Sequence, residues 1–199
     1  MAKMEAFMST LWKRVMLRGV QFTDSHRRLD LLYKLPDPWG METAREQHRF
    51  RETNAFLKRH VGPVERLLEV GCGEGHQTVF LQEIARSVVG ADVSQTAIER
   101  ARCRVPTAQF VAGDVVKEPN IVGRLPFDVV TGCEVLYYAS DVSGCATALE
   151  GLGRRVLATY VDKHRDVLDP ILLAKPDALT GKIGFENISW TIVLWRGVD

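Results

Sequence analysis

The stretch LLEVGCGEGHQT, residues 67–78, constrains the fold of this chain more than any other segment. Three alternating glycines, Gly71, Gly73 and Gly75, follow a run of branched apolar residues that is typical of a buried strand. Glycine loses more backbone entropy on folding than any other residue, so it is costly inside regular structure. We therefore expect a sharp turn after a strand, at which another group approaches the backbone closely.

Short apolar runs alternate with helical patterns from about residue 66 onward. The predicted strands cover residues 66–70, 87–92, 108–114, 127–133 and 154–161. The predicted helices cover residues 76–86, 95–104 and 141–152. Ser94 is a candidate N-cap for the second of these helices, which ends before Pro106. This alternation predicts right-handed crossovers and a parallel sheet with helices on both faces.

The two ends of the chain depart from this alternation. Residues 181–187 and 189–197 are strand-like and joined by a short link, which predicts a hairpin forming an antiparallel edge. Residues 1–60 are mainly helical in pattern, with a break at KLPDPWG, where two prolines and a glycine prevent a continuous helix. We predict one domain over residues 1–199, in which a helical cap (1–60) covers an α/β core (61–199).

Composition and charge argue against several classes of protein. A net charge of +1 favours neither nucleic acid nor an anionic membrane, and no apolar run is long enough to span a bilayer. The four cysteines form no C-x-x-C pair and no Cys/His cluster has zinc spacing. We predict a reduced, cytoplasmic protein without a metal site. Residues 1–20 lack a signal-peptide core and are interpreted as a helix or a frayed terminus.

Acidic residues end the second and third predicted strands. Ligands of open parallel sheets bind at the carboxyl ends of the strands, where the strand order reverses. Asp92 is placed to accept both hydroxyls of a ribose. Asp114 is placed to accept from an exocyclic amine such as that of adenine, and the amide of Val115 to donate to a ring nitrogen. Because the glycines lack the spacing of dinucleotide binders, the predicted ligand is an adenosine without a phosphate.

Together, LLEVGCGEGHQT, VVGADVSQTAIERA, QFVAGDV and FDVVTGCEVLYY resemble the class I S-adenosylmethionine-dependent methyltransferases. The resemblance covers residues 64–161, half of the chain. It implies a Rossmann-like, seven-stranded α/β sheet in the order 3-2-1-4-5-7-6 with strand 7 antiparallel, in agreement with the predicted hairpin. It also implies S-adenosylmethionine as cofactor, S-adenosylhomocysteine as product, and no metal.

The same resemblance implies a set of cofactor-binding residues. Around the methionine and ribose they are Glu69, Gly71, Cys72, Gly73, Gly75 and Asp92. Around the adenine and the reactive methyl group they are Val93, Asp114, Val115, Gly132, Cys133 and Glu134. By resemblance, Glu69 organises the loop around the methionine ammonium group, and Glu134 helps to close the pocket beside the methyl group.

A narrower resemblance, to the nodulation-factor N-methyltransferases (the NodS-like group), is carried by LLYKLPDPWG, REQHRF and CEVLYY. Arg45 stands where those relatives often carry an aromatic residue, next to the glutamate that matches Glu46. The resemblance implies a small-molecule acceptor, such as an amino sugar or another metabolite, that is methylated on nitrogen or oxygen.

We expect the acceptor site where the cap meets the strand ends. The phenols of Tyr137 and Tyr138, after the fourth strand, are candidates to orient an acceptor, with a core position as the alternative. Tyr33 and Trp39 are acceptor-binding candidates in the cap, with a packed turn as the alternative. His164, beyond the fifth strand, is a candidate base because histidine titrates near neutral pH, and a surface-loop residue is its alternative.

Several other functions stay open on the sequence alone. An RNA or protein methyltransferase is one, although the charge and GCEVLYY, which is not an Asn/Asp-Pro-Pro-aromatic motif, disfavour a nucleic-acid substrate. A non-catalytic binding protein is disfavoured by the intact acidic residues at three strand ends, and a nicotinamide dehydrogenase by the glycine spacing. The final edge strand is compatible with a monomer or a homodimer.

Overall fold

A computed structural model describes residues 21–198 of the protein, so the helix or frayed terminus expected at residues 1–20 lies outside the described residues. The helices are α1 (His26–Leu32), α2 (Ala44–His60), α3 (Thr78–Leu81), α4 (Gln95–Arg104), α5 (Val142–Glu150) and α6 (Arg165–Leu172). The strands are β1 (Val64–Val70), β2 (Ala85–Asp92), β3 (Gln109–Ala112), β4 (Phe127–Cys133), β5 (Gly153–Val161), β6 (Leu179–Phe185) and β7 (Ile188–Arg196). Short 3₁₀ turns lie at Pro119–Val122, Leu136–Tyr138 and Asp162–His164.

The strands form a seven-stranded sheet in the order β3-β2-β1-β4-β5-β7-β6. Strands β1 to β5 pair in parallel, and β7 pairs antiparallel with both β5 and β6. The predicted strand order and the terminal antiparallel hairpin are both confirmed. Because β1 lies between β2 and β4, the strand order reverses there, and a ligand site is expected at the carboxyl ends of these strands.

Residues alternate along the central strands between two hydrophobic layers. Leu68 and Val130 pack with α5 and α6 on one face of the sheet. Leu67 and Val129, their neighbours in sequence, pack with α2 and α3 on the other face. Successive side chains of a strand point to opposite faces, so both faces of the parallel sheet are covered, as the sequence predicts.

Helix α2 packs against the sheet. Leu57 is fully buried in the layer under this helix. Phe56 packs so closely on β6 that a Cβ atom on Gly181 would lie 2.9 Å from its ring. Helices α1 and α2 are separated by residues 33–43, which agrees with the break expected at KLPDPWG. A division into cap and core within a single domain stays a prediction.

Two elements differ from the sequence expectation. The helix predicted over residues 76–86 is wrong in length, since α3 ends at Leu81 and β2 begins at Ala85. Ala85 pairs with Val64 at the start of β1. It therefore belongs to a strand, although it also fits helical spacing. Helix α6 occupies residues 165–172, for which the sequence pattern predicts no element.

Among residues 21–198, no helix is long and apolar enough to cross a membrane.

The turn after β1 is sharp, and other groups approach its backbone closely, as the sequence predicts. Gly71, Gly73 and Gly75 adopt φ values of +71°, +53° and +79°. A Cβ atom on Gly71 would lie 2.3 Å from a methyl carbon of Val135, and one on Gly73 would lie 2.8 Å from the Tyr33 hydroxyl oxygen. The approaching groups at these two glycines are therefore side chains of the protein itself.

Replacing Leu57 by alanine should lower the free energy of unfolding by about 2–5 kcal/mol, because it leaves a cavity between cap and sheet. Urea denaturation followed by circular dichroism measures this loss. Lys58→Ala is the matched control, since Lys58 is exposed and its ion pair with Glu83 contributes at most about 1 kcal/mol. Equal losses in the two variants would contradict the packing described for α2.

Replacing Gly71 by alanine should cost more stability than replacing Gly62 by alanine. Both glycines have positive φ, +71° and +83°, so both variants carry backbone strain. Only Gly71 adds a clash, because a Cβ atom on Gly62 meets no atom within 4 Å. We expect an additional loss of about 1–3 kcal/mol for Gly71→Ala, measured by urea denaturation. Equal losses would mean that Val135 moves away without cost.

Candidate functional site

A cavity of about 310 Å³ opens at the carboxyl ends of the central strands and extends under the cap. Its lining includes the predicted cofactor-binding residues Glu69, Gly71, Cys72, Gly73, Asp92, Val93, Asp114, Val115, Cys133 and Glu134. The acceptor candidates Tyr33, Trp39, Tyr137 and Tyr138 also line it. Gly75 and Gly132 are not among the lining residues. A Cβ atom on Gly75 would lie 3.3 Å from Ala101, so this glycine serves packing against α4.

Asp92, at the end of β2, links the glycine-rich turn to the start of α4. Its Oδ2 accepts a hydrogen bond from the Gly73 amide, and its Oδ1 accepts one from the Ser94 amide, both at 2.9 Å. Ser94 caps α4 as predicted, because its hydroxyl oxygen accepts from the Ala97 amide. The carboxylate is 8% exposed, and burial raises its pKa. Each oxygen keeps a lone pair for a hydroxyl group in the cavity.

Glu69 is a nearly fully buried carboxyl group near the end of β1. It accepts a hydrogen bond from the Thr78 hydroxyl of α3. Burial is the largest influence and raises the pKa of Glu69 to about 8, although the Thr78 hydrogen bond and the charge of Arg49 oppose the shift. Glu69 is therefore mostly protonated at pH 7 in the free protein, and a cation in the cavity would favour its ionised form.

Asp114 lies just beyond β3 at the edge of the cavity. Its Oδ1 accepts from the Val116 amide at 3.1 Å, and its Oδ2 lies 3.1 Å from the Lys117 ammonium group. His26 of α1 approaches the same oxygen at 3.8 Å. Asp92 and Asp114 thus stand at the ends of the adjacent strands β2 and β3, as the sequence predicts.

Glu134 follows β4 in a backbone conformation that is rare for a residue with a side chain. Its φ is +59°, and its amide donates to the Thr159 carbonyl at 2.8 Å. Its carboxylate accepts from the Tyr137 hydroxyl at 3.2 Å and from the Thr159 hydroxyl at 3.3 Å. Burial raises its pKa. Such strain is often held at functional sites by the surrounding structure, and here it turns a carboxylate toward the cavity.

Arg49 is a cavity residue that the sequence analysis did not identify. It is 1% exposed, and its Nε donates to Glu46 at 2.8 Å. Its Nη1 lies 3.4 Å from both the Gln77 side-chain oxygen and the Thr159 hydroxyl. A buried guanidinium group requires such partners, since an isolated buried charge is strongly unfavourable. The i, i+3 spacing of Glu46 and Arg49 on a helix was the available signal.

The aromatic candidates form a continuous wall beside Glu134. The Trp39 indole N–H donates to the Tyr33 hydroxyl at 3.0 Å. The rings of Trp39 and Tyr138 have centroids 5.9 Å apart, and those of Tyr137 and Tyr138 are 4.7 Å apart. Tyr33 and Tyr137 are nearly buried, so they combine core packing with a place in the cavity lining.

The structure places His164 outside the cavity lining, where a base for the acceptor was expected. It is not among the residues that line the cavity, and its ring stacks on Tyr137 with centroids 4.4 Å apart. Phe22 packs edge-on against the same ring. Burial lowers the pKa of His164. Tyr137 and not His164 supplies the cavity lining at this point, so the base role of His164 stays a prediction.

Comparison with known proteins supports the resemblance to the NodS-like group. The nodulation protein S (NodS) family matches residues 23–160 of the chain. Nodulation protein S of Bradyrhizobium diazoefficiens is 30% identical over 130 residues, covering 65% of this chain and 62% of the relative. That of Sinorhizobium fredii is 32% identical over 136 residues, covering 64% and 62%.

The structural comparison extends over more of the chain. The crystal structure of the N-methyltransferase NodS from Bradyrhizobium japonicum WM9, in complex with S-adenosylhomocysteine, superposes with a TM-score of 0.73 at 18% identity. The match covers 88% of this chain and all of that one, and it shows a shared fold. The alignments to the two curated relatives span less than two thirds of their length. Since the family match covers more than half of its residues, the chain belongs to the nodulation protein S (NodS) family.

Proposed function

We propose that the protein is an S-adenosylmethionine-dependent methyltransferase that acts on an amino group of a small molecule. The observation that carries the proposal is the Asp92 carboxylate, which the Gly73 and Ser94 amides hold in the cavity at the end of β2. Asp114 and Glu69 lie at the ends of the flanking strands and line the same cavity. This arrangement suits a ribose, an adenine edge and an ammonium group.

The lining residues fit S-adenosylmethionine better than a pyrophosphate-containing cofactor. Arg49 and Lys117, two cationic side chains in the lining, are already paired with Glu46 and Asp114. Neither therefore offers an unpaired charge to a phosphate. The aromatic faces of Trp39 and Tyr138 suit the opposite kind of ligand, because ring faces attract cations.

Each group in the lining would have a defined task. Asp92 would accept from the ribose hydroxyls, Asp114 from the adenine amine, and Glu69 from the methionine ammonium group. When bound, S-adenosylmethionine supplies an electrophilic methyl group on a sulfonium centre. The chain would contribute mainly position and a partly water-excluded cavity, which together can account for much of a rate acceleration.

Glu134 supports a nitrogen acceptor, because an amine is protonated at neutral pH and attacks only as the neutral base. The Glu134 carboxylate lines the cavity next to Tyr137 and has a raised pKa, which improves its ability to accept a proton. The acceptor ammonium group would pass its proton to a carboxylate oxygen of Glu134. The Tyr137 hydroxyl would keep that side chain oriented.

The direct test is a methyl-transfer assay with radiolabelled S-adenosylmethionine. A glucosamine oligosaccharide with one free amino group is compared with its fully N-acetylated form. We expect label only in the free amine, at a position that mass spectrometry assigns to nitrogen. Transfer to RNA or protein, or equal transfer to both oligosaccharides, would contradict the proposal.

The affinity for S-adenosylhomocysteine should rise with pH between about 6 and 8. The Glu69 carboxyl, with a pKa of about 8, must lose its proton to pair with the ligand's ammonium group. A required deprotonation increases affinity by up to about tenfold per pH unit below that pKa and has no effect above it. Calorimetry at several pH values checks this slope. Glu69→Gln should flatten it, and an unchanged slope in that variant would assign the proton elsewhere.

Glu134→Gln should lower kcat by about 10²–10³-fold with little change in S-adenosylhomocysteine affinity, the usual scale for losing a general base. The defect should shrink at high pH, where the acceptor amine is already neutral. Glu83→Gln, an exposed surface substitution, is the control. A defect that is equal at all pH values would indicate a positioning role instead of proton transfer.

A further inference from the structure

We propose that Asp37, Glu74 and His76 form a binding site for one zinc ion at the rim of the cavity. One ligand atom from each of these side chains lies within 4.8 Å of the other two. Imidazole nitrogen and carboxylate oxygens are ordinary zinc ligands, at about 2.0–2.2 Å from the metal. The proposal goes beyond methyl transfer, because none of the steps assigned to the cavity requires a metal.

His76 supplies the observation that points to a ligand. Its side chain is 5% exposed, yet its buried Nε2 has no hydrogen-bond partner. The neighbouring carboxylate oxygen of Glu42 is 3.6 Å away, too far for a hydrogen bond. An unprotonated ring nitrogen of this kind has a lone pair to give to a metal.

The two carboxylates are oriented by bonds that leave lone pairs available. Glu74 is 4% exposed and accepts from Arg100 through Oε1 at 2.6 Å. The Asp37 amide donates to both oxygens of Glu74, at 3.2 and 3.0 Å. The Asp37 carboxylate in turn accepts from the Met41 amide at 2.7 Å. Outer contacts of this kind orient metal ligands in established sites.

The local charge is also suited to a cation. Glu42, Asp37 and Glu74 bring three carboxylates to this region. Arg100 and Arg104 pair with them, at 2.6 Å from Glu74 and 3.4 Å from Glu42 respectively. Three acidic groups facing two guanidinium groups leave an excess of negative charge. The Glu42 side chain is 66% exposed, so rotating it away from Arg104 would let it become a fourth ligand.

Zinc at this site would link the cap to the glycine-rich turn. Asp37 belongs to the segment between α1 and α2 that also carries Trp39, whereas Glu74 and His76 follow the glycines after β1. The sequence predicts no metal site, because its cysteines and histidines lack zinc spacing. This cluster combines one histidine with carboxylates from a distant segment, a pattern that spacing alone does not reveal.

The test is calorimetric titration of zinc chloride into chelator-treated full-length protein at neutral pH. All proteins carry Cys103→Ser, because the exposed Cys103 thiol is a competing zinc ligand. We expect one equivalent bound with micromolar or tighter affinity, and a rise in melting temperature on zinc addition. His76→Gln should weaken binding at least tenfold, whereas His60→Gln, at an exposed histidine, should not.

Glu74→Gln is a second variant, measured in case His76→Gln is poorly folded, and it should also weaken binding at least tenfold. Absence of saturable binding to the protein with both residues intact would overturn the proposal. Binding that is unchanged in folded His76→Gln or Glu74→Gln would overturn it equally. Neither outcome depends on methyl transfer, so failure here is distinguishable from failure of the proposed activity.

Discussion

The Asp92 carboxylate is the interaction on which the geometry of the cavity depends. By accepting from the Gly73 and Ser94 amides, it fixes the end of β2 to the turn after β1 and to the start of α4. Burying a carboxylate is unfavourable unless it is hydrogen bonded, and these two charge-assisted bonds offset that cost. The glycines of this turn, in their left-handed conformation, leave room for the side chains of Val135 and Tyr33. Val135 follows β4 and Tyr33 belongs to the cap, so both segments reach the same cavity.

A second constraint is the buried charge around Arg49. Its guanidinium group pairs with Glu46 and reaches Thr159, which also donates to Glu134. Removing one member of such a network leaves an uncompensated buried charge, which typically costs about 3–5 kcal/mol. The cap therefore does more than cover the cavity, because α2 supplies the cation that balances the carboxylates beside the proposed methyl-transfer site.

Much of the fold was predictable because strand spacing and glycine placement are local signals. The parallel strands, the terminal hairpin and the positions of Asp92 and Asp114 at strand ends follow from them, whereas the strand order was implied by the resemblance to the methyltransferases. Arg49 and His76 were not identified, since their roles depend on partners that only the folded chain brings near. The excess length predicted for the helix at residues 76–86 has the same origin, because Ala85 fits helical spacing but pairs with β1. The prediction that His164 acts as a base relied only on its position in the chain. Its stacking on Tyr137 is a tertiary contact, which the sequence does not reveal.

The central claim, that Asp92 holds the ribose of an adenosine ligand, is tested most directly by calorimetric titration with S-adenosylhomocysteine. Wild type and Asp92→Asn are compared, with thermal unfolding to show that the variant is folded. We predict micromolar binding by the wild type and at least a tenfold weaker affinity in the variant, a difference of about 1.4 kcal/mol or more. Equal affinities in two folded proteins would contradict the account.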